Sequence, residues 1–301
     1  MNQFDVVGLG QCSLDIIGRI DDYPEIDTKT ELNETLIQGG GPVATALVTL
    51  ARLGVSTAFV GKIGDDSFGP RIRSGLISEG VDCEGLVTEV GARSQFAFVA
   101  VDQDGHRNIF WKRGSYRPLV KSEIDPKMIV SSRILHLDGL QVEISVLAAK
   151  LARKHKITTV LDGGTLRPSM LELMRYIDHA IVSEKFAWQL VGDEGPKVAL
   201  EKLLEYGCAA ATVTLGVKGS WTLTAAGEFF HQPIYAVNVV DTTGCGDVFH
   251  GGYIYGLLRQ WPVKAAVRFA TACAAIKTRK LGGRTAIPTL KEVEAFLHRG
   301  D

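Results

Sequence analysis

No excess of charge of either sign marks this chain: 33 Lys and Arg stand against 34 Asp and Glu, a formal net charge of −1. Nucleic-acid binders usually carry a basic surplus, so no nucleic-acid partner is expected. An anionic small molecule stays open, because a few local Arg or Lys suffice for it. Cysteine is scarce and odd in number. Cys12, Cys83, Cys208, Cys245 and Cys273 include no Cys-x-x-Cys pair, which argues against a disulfide framework or a zinc site. No run of about 18 apolar residues occurs, so no membrane span is expected. The opening MNQFDVVGLG has neither a basic n-region nor a long apolar h-region, which predicts a soluble, cytoplasmic protein. Gly-x-x-x-x-Gly-Lys-Ser/Thr is missing, so a P-loop site is not expected. What is present is ordinary globular composition, 46% hydrophobic and 22% charged over 301 residues, enough to bury a core without staples.

Short apolar runs alternate with helical patterns along most of the chain. Phe4 to Leu9 reads as a buried strand. Val43 to Leu53 reads as a helix behind Gly39-Gly40-Gly41-Pro42, with Pro42 suited to a first turn. From Ile134 onward strands and helices alternate, which predicts an α/β fold with a mostly parallel central sheet between helices. Val237–Val240 is expected to be a strand leading into a final pair of core helices. Two segments, approximately 12–38 and 94–115, break the alternation. The Asp104-Gly105 pair between extended runs signals a hairpin, and both segments read as insertions forming a small antiparallel β lid on a single domain, 1–301.

The strongest chemical signal is Asp241-Thr242-Thr243-Gly244-Cys245-Gly246-Asp247. Gly244 and Gly246 permit a tight turn and close backbone approach. The N–H groups of Gly244, Cys245 and Gly246 would then meet an anion at a helix N-terminus. Asp247, in the first turn, is placed to accept a proton from a hydroxyl attacking phosphorus. Its other reading is a helix-capping carboxylate. Asp241 reads equally as a turn residue. Near the N-terminus, Gly8-Leu9-Gly10-Gln11-Cys12-Ser13 lacks the third glycine of a dinucleotide fingerprint, so a nicotinamide dehydrogenase is disfavoured.

DTTGCGDVFHGG resembles the C-terminal signature of the ribokinase-type (PfkB) sugar kinases, with Cys245 where Ala is usual. Four further segments resemble that family in the same order: Gly40-Gly41 before a helix, Gly61 to Gly69, Thr214-Leu215-Gly216-Val217-Lys218-Gly219, and Gly282 to Pro288. The resemblance spans the whole chain and implies a ribokinase-like three-layer sandwich that phosphorylates a sugar hydroxyl with ATP and Mg²⁺. It makes Asp247 the base and the 244–246 amides the anion hole. It assigns Asp15, Gly40, Gly41 and Thr45 to the sugar, with Thr45 standing where Asn is frequent. It assigns Ser183, Thr214, Gly216, Gly219, Gly244 and Gly246 to the nucleotide. The family's NxxE segment appears as Ser183-Glu184-Lys185-Phe186, so Glu184 is expected to reach Mg²⁺ through water. Asp241 and Thr243, with the 279–286 loop, match where many members bind a monovalent cation such as K⁺.

Substrate clues are basic. Phe110 to Ser115 and Asp162 to Ser169 resemble segments of sugar-acid and fructose kinases in which Arg113 and Arg167 would face a carboxylate. Lys29 falls where sugar-phosphate and sulfosugar members place a Lys. Each of these three also reads as a solvated surface cation. His250 is taken as structural. The expectation is a sugar or sugar-acid kinase, pairing as a homodimer through the lid. A nucleoside or vitamin-alcohol kinase, or a catalytically silent nucleotide or sugar sensor, are the alternatives.

Overall fold

The structure, a computed structural model, describes residues 3–298. In chain order it begins β1 (Val6–Leu9), β2 (Ser13–Arg19), β3 (Glu34–Gly40), α1 (Pro42–Arg52), β4 (Thr57–Gly64), α2 (Gly69–Ser78), β5 (Val81–Asp82), β6 (Leu86–Glu89), β7 (Phe96–Val101) and β8 (Arg107–Lys112). It continues through α3 (Pro126–Val130), β9 (Ile134–Leu137), α4 (Val142–Lys154), β10 (Thr158–Gly163), α5 (Met170–Met174), β11 (His179–Ser183), α6 (Glu184–Val191) and α7 (Gly195–Leu204). Then come β12 (Ala210–Thr214), β13 (Ser220–Thr224), β14 (Phe229–Gln232), α8 (Cys245–Leu258), α9 (Val263–Lys277) and α10 (Leu290–His298).

The larger sheet runs β14-β13-β12-β11-β10-β9-β1-β4-β5, with β6 paired to the far end of β4. Every pairing from β12 to β5 is parallel, and only β13 and β14 run antiparallel. Its central strands are buried on both faces, as a parallel sheet between helices requires. Alternate residues feed two cores: Val6, Phe59, Ile134, Val160 and Ile181 pack with α1, α8 and α9, while Val7, Val60, Leu135, Leu161 and Ala180 pack with α4, α5 and α7. Because the strands are parallel, their C-terminal ends line one edge, where ligands of open α/β sheets bind.

The smaller sheet runs β3-β2-β7-β8. β2 pairs antiparallel with β3 and β7 with β8, and the two hairpin-like pairs are joined by a parallel pairing of β2 with β7. Its inner face carries Asp15, Ile17, Gln38 and Val99, which the register aligns on one side. Ile17, Ala97, Val99, Val101 and Leu281 form a small third core beneath it.

Glycines decide how closely α8 packs. A Cβ at Gly251 would come 2.8 Å from the Ala46 carbonyl of α1, and one at Gly252 would come 2.8 Å from the Ala270 Cα of α9. A Cβ at Gly256 would meet that of Ala266 at 2.6 Å. α8 thus sits between α1 and α9 at a distance only glycine allows, and this fixes where its first turn emerges beside the strand ends.

Val237–Val240 is not a strand. The edge beyond β13 is taken by β14, and residues 237–240 instead cross the end of α9, where Val240 and Asp241 donate their N–H groups to the Thr278 carbonyl at 2.8 and 3.1 Å. The apolar pattern of this run reflects Val240 packing against the third core rather than a sheet position. Among the described residues no helix is long and apolar enough to cross a membrane, and all five cysteines are unpaired.

Candidate active site

The anion turn begins with Gly244, which caps α8 in the left-handed conformation at φ 74°. Such a cap leaves the first-turn amides pointing outward. Cys245 N–H donates to the Thr242 carbonyl at 3.3 Å, and Val248 N–H to Gly244. The N–H groups of Gly244, Gly246 and Asp247 have no partner among the described residues. A Cβ at Gly246 would project into open space. These free donors lie at the positive end of a 14-residue helix, a setting that fits a phosphate group.

Asp247 is half-buried in the same turn. Poor hydration raises its carboxyl well above the ordinary value, and the neighbouring carboxylates of Asp162 and Asp15 raise it further, while His250 and Arg107 oppose them. Asp162, near the C-terminal end of β10, is likewise raised by burial. His250 stands behind this pair. Its Nδ1 donates to the Gly246 carbonyl at 2.7 Å and lies 3.6 Å from Asp162 Oδ2. The His136 ring lies 5.7 Å from that of His250, and burial with the neighbouring imidazole pushes His136 down to about 3. Burial likewise lowers His250, so both imidazoles at the rear of the pocket favour the neutral form.

The triplet Gly39-Gly40-Gly41 makes room for three different groups. A Cβ at Gly39 would collide with the Arg284 guanidinium, and one at Gly40 with the Asp15 carboxylate. Gly41, at φ 95°, caps α1 and would place a Cβ 2.5 Å from the Gln11 carbonyl. Asp15 is buried, accepts from Ser13 Oγ at 2.7 Å, and is raised by burial against the pull of that bond and of Arg284. Arg284, 4% exposed, donates to Thr45 Oγ1 at 3.2 Å and to the Gly40 carbonyl at 3.0 Å. The Thr45 hydroxyl is thus an acceptor for a buried cation.

Asp138, just beyond β9, accepts the N–H groups of Gln11 at 2.7 Å and Leu140 at 3.0 Å. Burial nonetheless lifts it to about 7, with Arg167 pulling the other way. Arg167 is half-buried near it. Arg113 and Lys29 are exposed and make no hydrogen bond among the described residues. Arg107, on the inner face of β8, donates to Thr242 Oγ1 and brings the smaller sheet onto the anion turn.

Ser183 caps α6, accepting from Phe186 N–H at 3.1 Å and donating to the Gly164 carbonyl at 2.8 Å. Glu184 is mostly exposed and pairs with Lys218 at 3.3 Å. Thr214 ends β12 and donates to Val182 at 3.3 Å. The following turn needs glycine twice: Gly216 has φ 58°, and Gly219, at φ 79°, would drive a Cβ into the Gln232 carbonyl. Among the described residues no three His, Cys, Asp or Glu side chains converge as a metal cage. The donor set therefore suits a Mg²⁺ carried mainly by phosphate oxygens and water.

The strand-edge cleft thus gathers Asp15, Gly40, Gly41, Thr45, Arg167 and the 241–247 turn. It adds four groups that local motifs do not mark as site residues: Arg107, Asp138, Asp162 and Arg284. A signal for Asp138 and Asp162 existed, since each follows a short apolar strand at its C-terminal end. Arg284 lies within the Gly282 to Pro288 segment that resembles the family, whereas Arg107 is brought in by tertiary packing alone. In the Gly61 to Gly69 segment, Asp66 accepts Ser94 Oγ at 2.7 Å and Gly69 N–H at 3.2 Å, tying α2 to the loop before β7.

Comparison with known proteins agrees with this geometry. The model of the pfkB family carbohydrate kinases matches residues 3–290. The chain is 29% identical over 294 residues to an ATP-dependent ribose-1-phosphate kinase of Halopiger xanaduensis, covering 97% of each chain. It is 28% identical over 316 residues to a 5-dehydro-2-deoxygluconokinase of Shouchella clausii, covering 98% of this chain and 96% of the relative. The crystal structure of a putative ribokinase from Agrobacterium tumefaciens superposes with a TM-score of 0.92 at 29% identity, covering 99% of this chain and 98% of that one. The fold, the anion turn and a family match over nearly the whole length lead to one assignment: the chain belongs to the pfkB family of carbohydrate kinases and is an ATP-dependent sugar kinase.

Proposed function

We propose that Asp247 is the general base that accepts the proton of the sugar hydroxyl as it attacks the γ-phosphorus of ATP. The observation that carries this reading is the shared first turn of α8, which holds a raised, half-buried carboxylate beside three unpaired amide donors. A carboxylate poised near neutrality accepts a proton better than an ordinary one while remaining ionised in a useful fraction. The amides of Gly244, Gly246 and Asp247 are fixed before reaction and hold charge as it spreads over the transferring group. Arg107 adds a positive charge from the smaller sheet. Mg²⁺, when bound, neutralises phosphate charge. Asp15 and the Gly40 carbonyl supply acceptors for the other sugar hydroxyls.

The substrate we propose is a sugar bearing an acidic group. Arg284 places a buried guanidinium at the sugar end of the cleft, and Arg167 stands beside Asp138. The two relatives named above phosphorylate a sugar phosphate and a deoxygluconate by their names. An acidic group on the sugar would add a charge-assisted hydrogen bond to one of these guanidiniums. Five unpaired cysteines and a need for ATP suit the reducing cytoplasm.

The outer face of the smaller sheet also points to self-association. Register aligns Ile37, Ile16, Phe98 and Phe110 across four strands on that face, and Ile37 and Phe110 are 53% and 61% exposed. An apolar row of this kind, shared by two copies, favours a symmetric dimer.

Three outcomes follow from these readings. Asp247→Asn lowers kcat by about 10²–10⁴-fold while ATP binding by calorimetry stays near wild type; turnover at the wild-type rate removes Asp247 from the mechanism. Arg167→Ala raises KM for an acidic sugar by roughly 10- to 100-fold, the worth of a charge-assisted hydrogen bond, and leaves KM for ATP unchanged. Equal loss on acidic and neutral sugars means that Arg167 only shapes the pocket. Sedimentation of the wild type gives a dimer, and Phe110→Glu gives a monomer; a wild-type monomer at micromolar concentration contradicts the interface.

A further inference from the structure

Lys277 ends α9 with no exposed surface, and its Nζ donates to the Asp241 main-chain carbonyl at 2.8 Å. The remaining oxygens of Asp241 are also engaged. Oδ1 accepts the Thr243 N–H and Oδ2 the Gly282 N–H, each at 2.7 Å. Asp241 and Thr243, with the 279–286 loop, are where the family resemblance sets a monovalent cation, so their fit to such an ion can be judged here. A free cation needs several oxygens turned towards it and no competing positive charge among them. Here an ammonium already holds the carbonyl, and both carboxylate oxygens face amide hydrogens. Thr243 Oγ1 is buried without a partner, but one free hydroxyl beside an ammonium does not make up the coordination a free ion needs, and the residues do not fit one.

We propose that Lys277 supplies the positive charge beneath the 241–247 turn from within the chain, so that this kinase needs no monovalent cation from solution. Burying an ammonium is costly unless it is paired, and a methionine would fill the same space without that cost. The charge is therefore the property that the position uses. Being covalently attached, it is present without the loss of freedom that capture of an ion entails. It ties the end of α9 to the start of the anion turn at the point where Val240 and Asp241 donate to Thr278. Its field reaches Cys245 and Asp247, so it also adds positive potential where phosphate charge gathers.

The test is a cation series at constant ionic strength, with choline chloride as the inert salt and KCl or NH₄Cl replacing it. Wild-type thermal midpoints should agree within about 1 °C across the series, because an ion that bound only the folded state would raise them. Initial rates should agree within about twofold. A K⁺-specific rise of several degrees, or activation of roughly tenfold or more, overturns the proposal. Lys277→Ala opens space beside Asp241. It should lose about 10- to 100-fold in rate in choline, as removal of a fixed charge near the transferring group would, and should regain rate and thermal midpoint in KCl or NH₄Cl. A Lys277→Ala enzyme with the wild-type rate in choline and no response to K⁺ also overturns it. The wild-type midpoint series needs neither this variant nor a substrate. It therefore stands if the variant fails to fold, and it separates failure of this inference from failure of the sugar assignment.

Discussion

Two carboxylates in one poorly hydrated cleft, Asp162 near the end of β10 and Asp247 in the first turn of α8, place the strongest demand on the surrounding structure. Both resist ionisation there because burial removes water, and at Asp247 the charge of Asp162 adds to this. The neighbourhood offsets this cost with fixed positive features: the N-terminal end of α8, Arg107 from the smaller sheet, and Lys277 beneath the turn. None of these works unless α8 emerges at one position. Its glycines at 251, 252 and 256 secure that position by letting it lie against the backbones of α1 and α9. Close helix packing is thus the mechanical basis of the electrostatics.

The same economy of space governs the sugar end. Gly39, Gly40 and Gly41 each yield to a different neighbour, Arg284, Asp15 and the Gln11 carbonyl. A buried Arg beside a buried Asp keeps that region near neutral while leaving donors and acceptors of both kinds. Arg284 also explains the departure at Thr45. Where an amide would donate and accept, the Thr45 hydroxyl accepts from the guanidinium.

Much of this was legible in the sequence. The alternation of short apolar runs with helical patterns gave the parallel sheet, because strands buried on both faces need no polar alternation. The turn at 241–247 was legible because glycine spacing and a following acidic residue have few other uses at a strand-edge helix. Val237–Val240 misled for a physical reason: an apolar run signals burial, and burial came from the third core rather than from sheet pairing. Arg107 and Lys277 carried no local signal, since each acts on a segment far away in the chain, and Arg284 was marked only as part of the Gly282 to Pro288 segment. Lys277 is the clearest case. At the end of an alanine-rich helix that also carries Lys264 and Arg268, a Lys reads as a solvent-facing residue, and only the fold turns it inward onto Asp241.

The central claim is that Asp247 acts as a base whose proton affinity is raised by burial first and by the charge of Asp162 next. The most direct measurement is the pH dependence of kcat/KM for the wild type and for Asp162→Asn. The base must be ionised to act, so activity falls as pH drops through its pKa. Removing the negative charge of Asp162 makes Asp247 easier to ionise, and the base then survives to lower pH. The account predicts a wild-type acid limb well above the ordinary carboxylate range and a limb in Asp162→Asn shifted downward by roughly one pH unit. An acid limb at the same pH in both enzymes would contradict it.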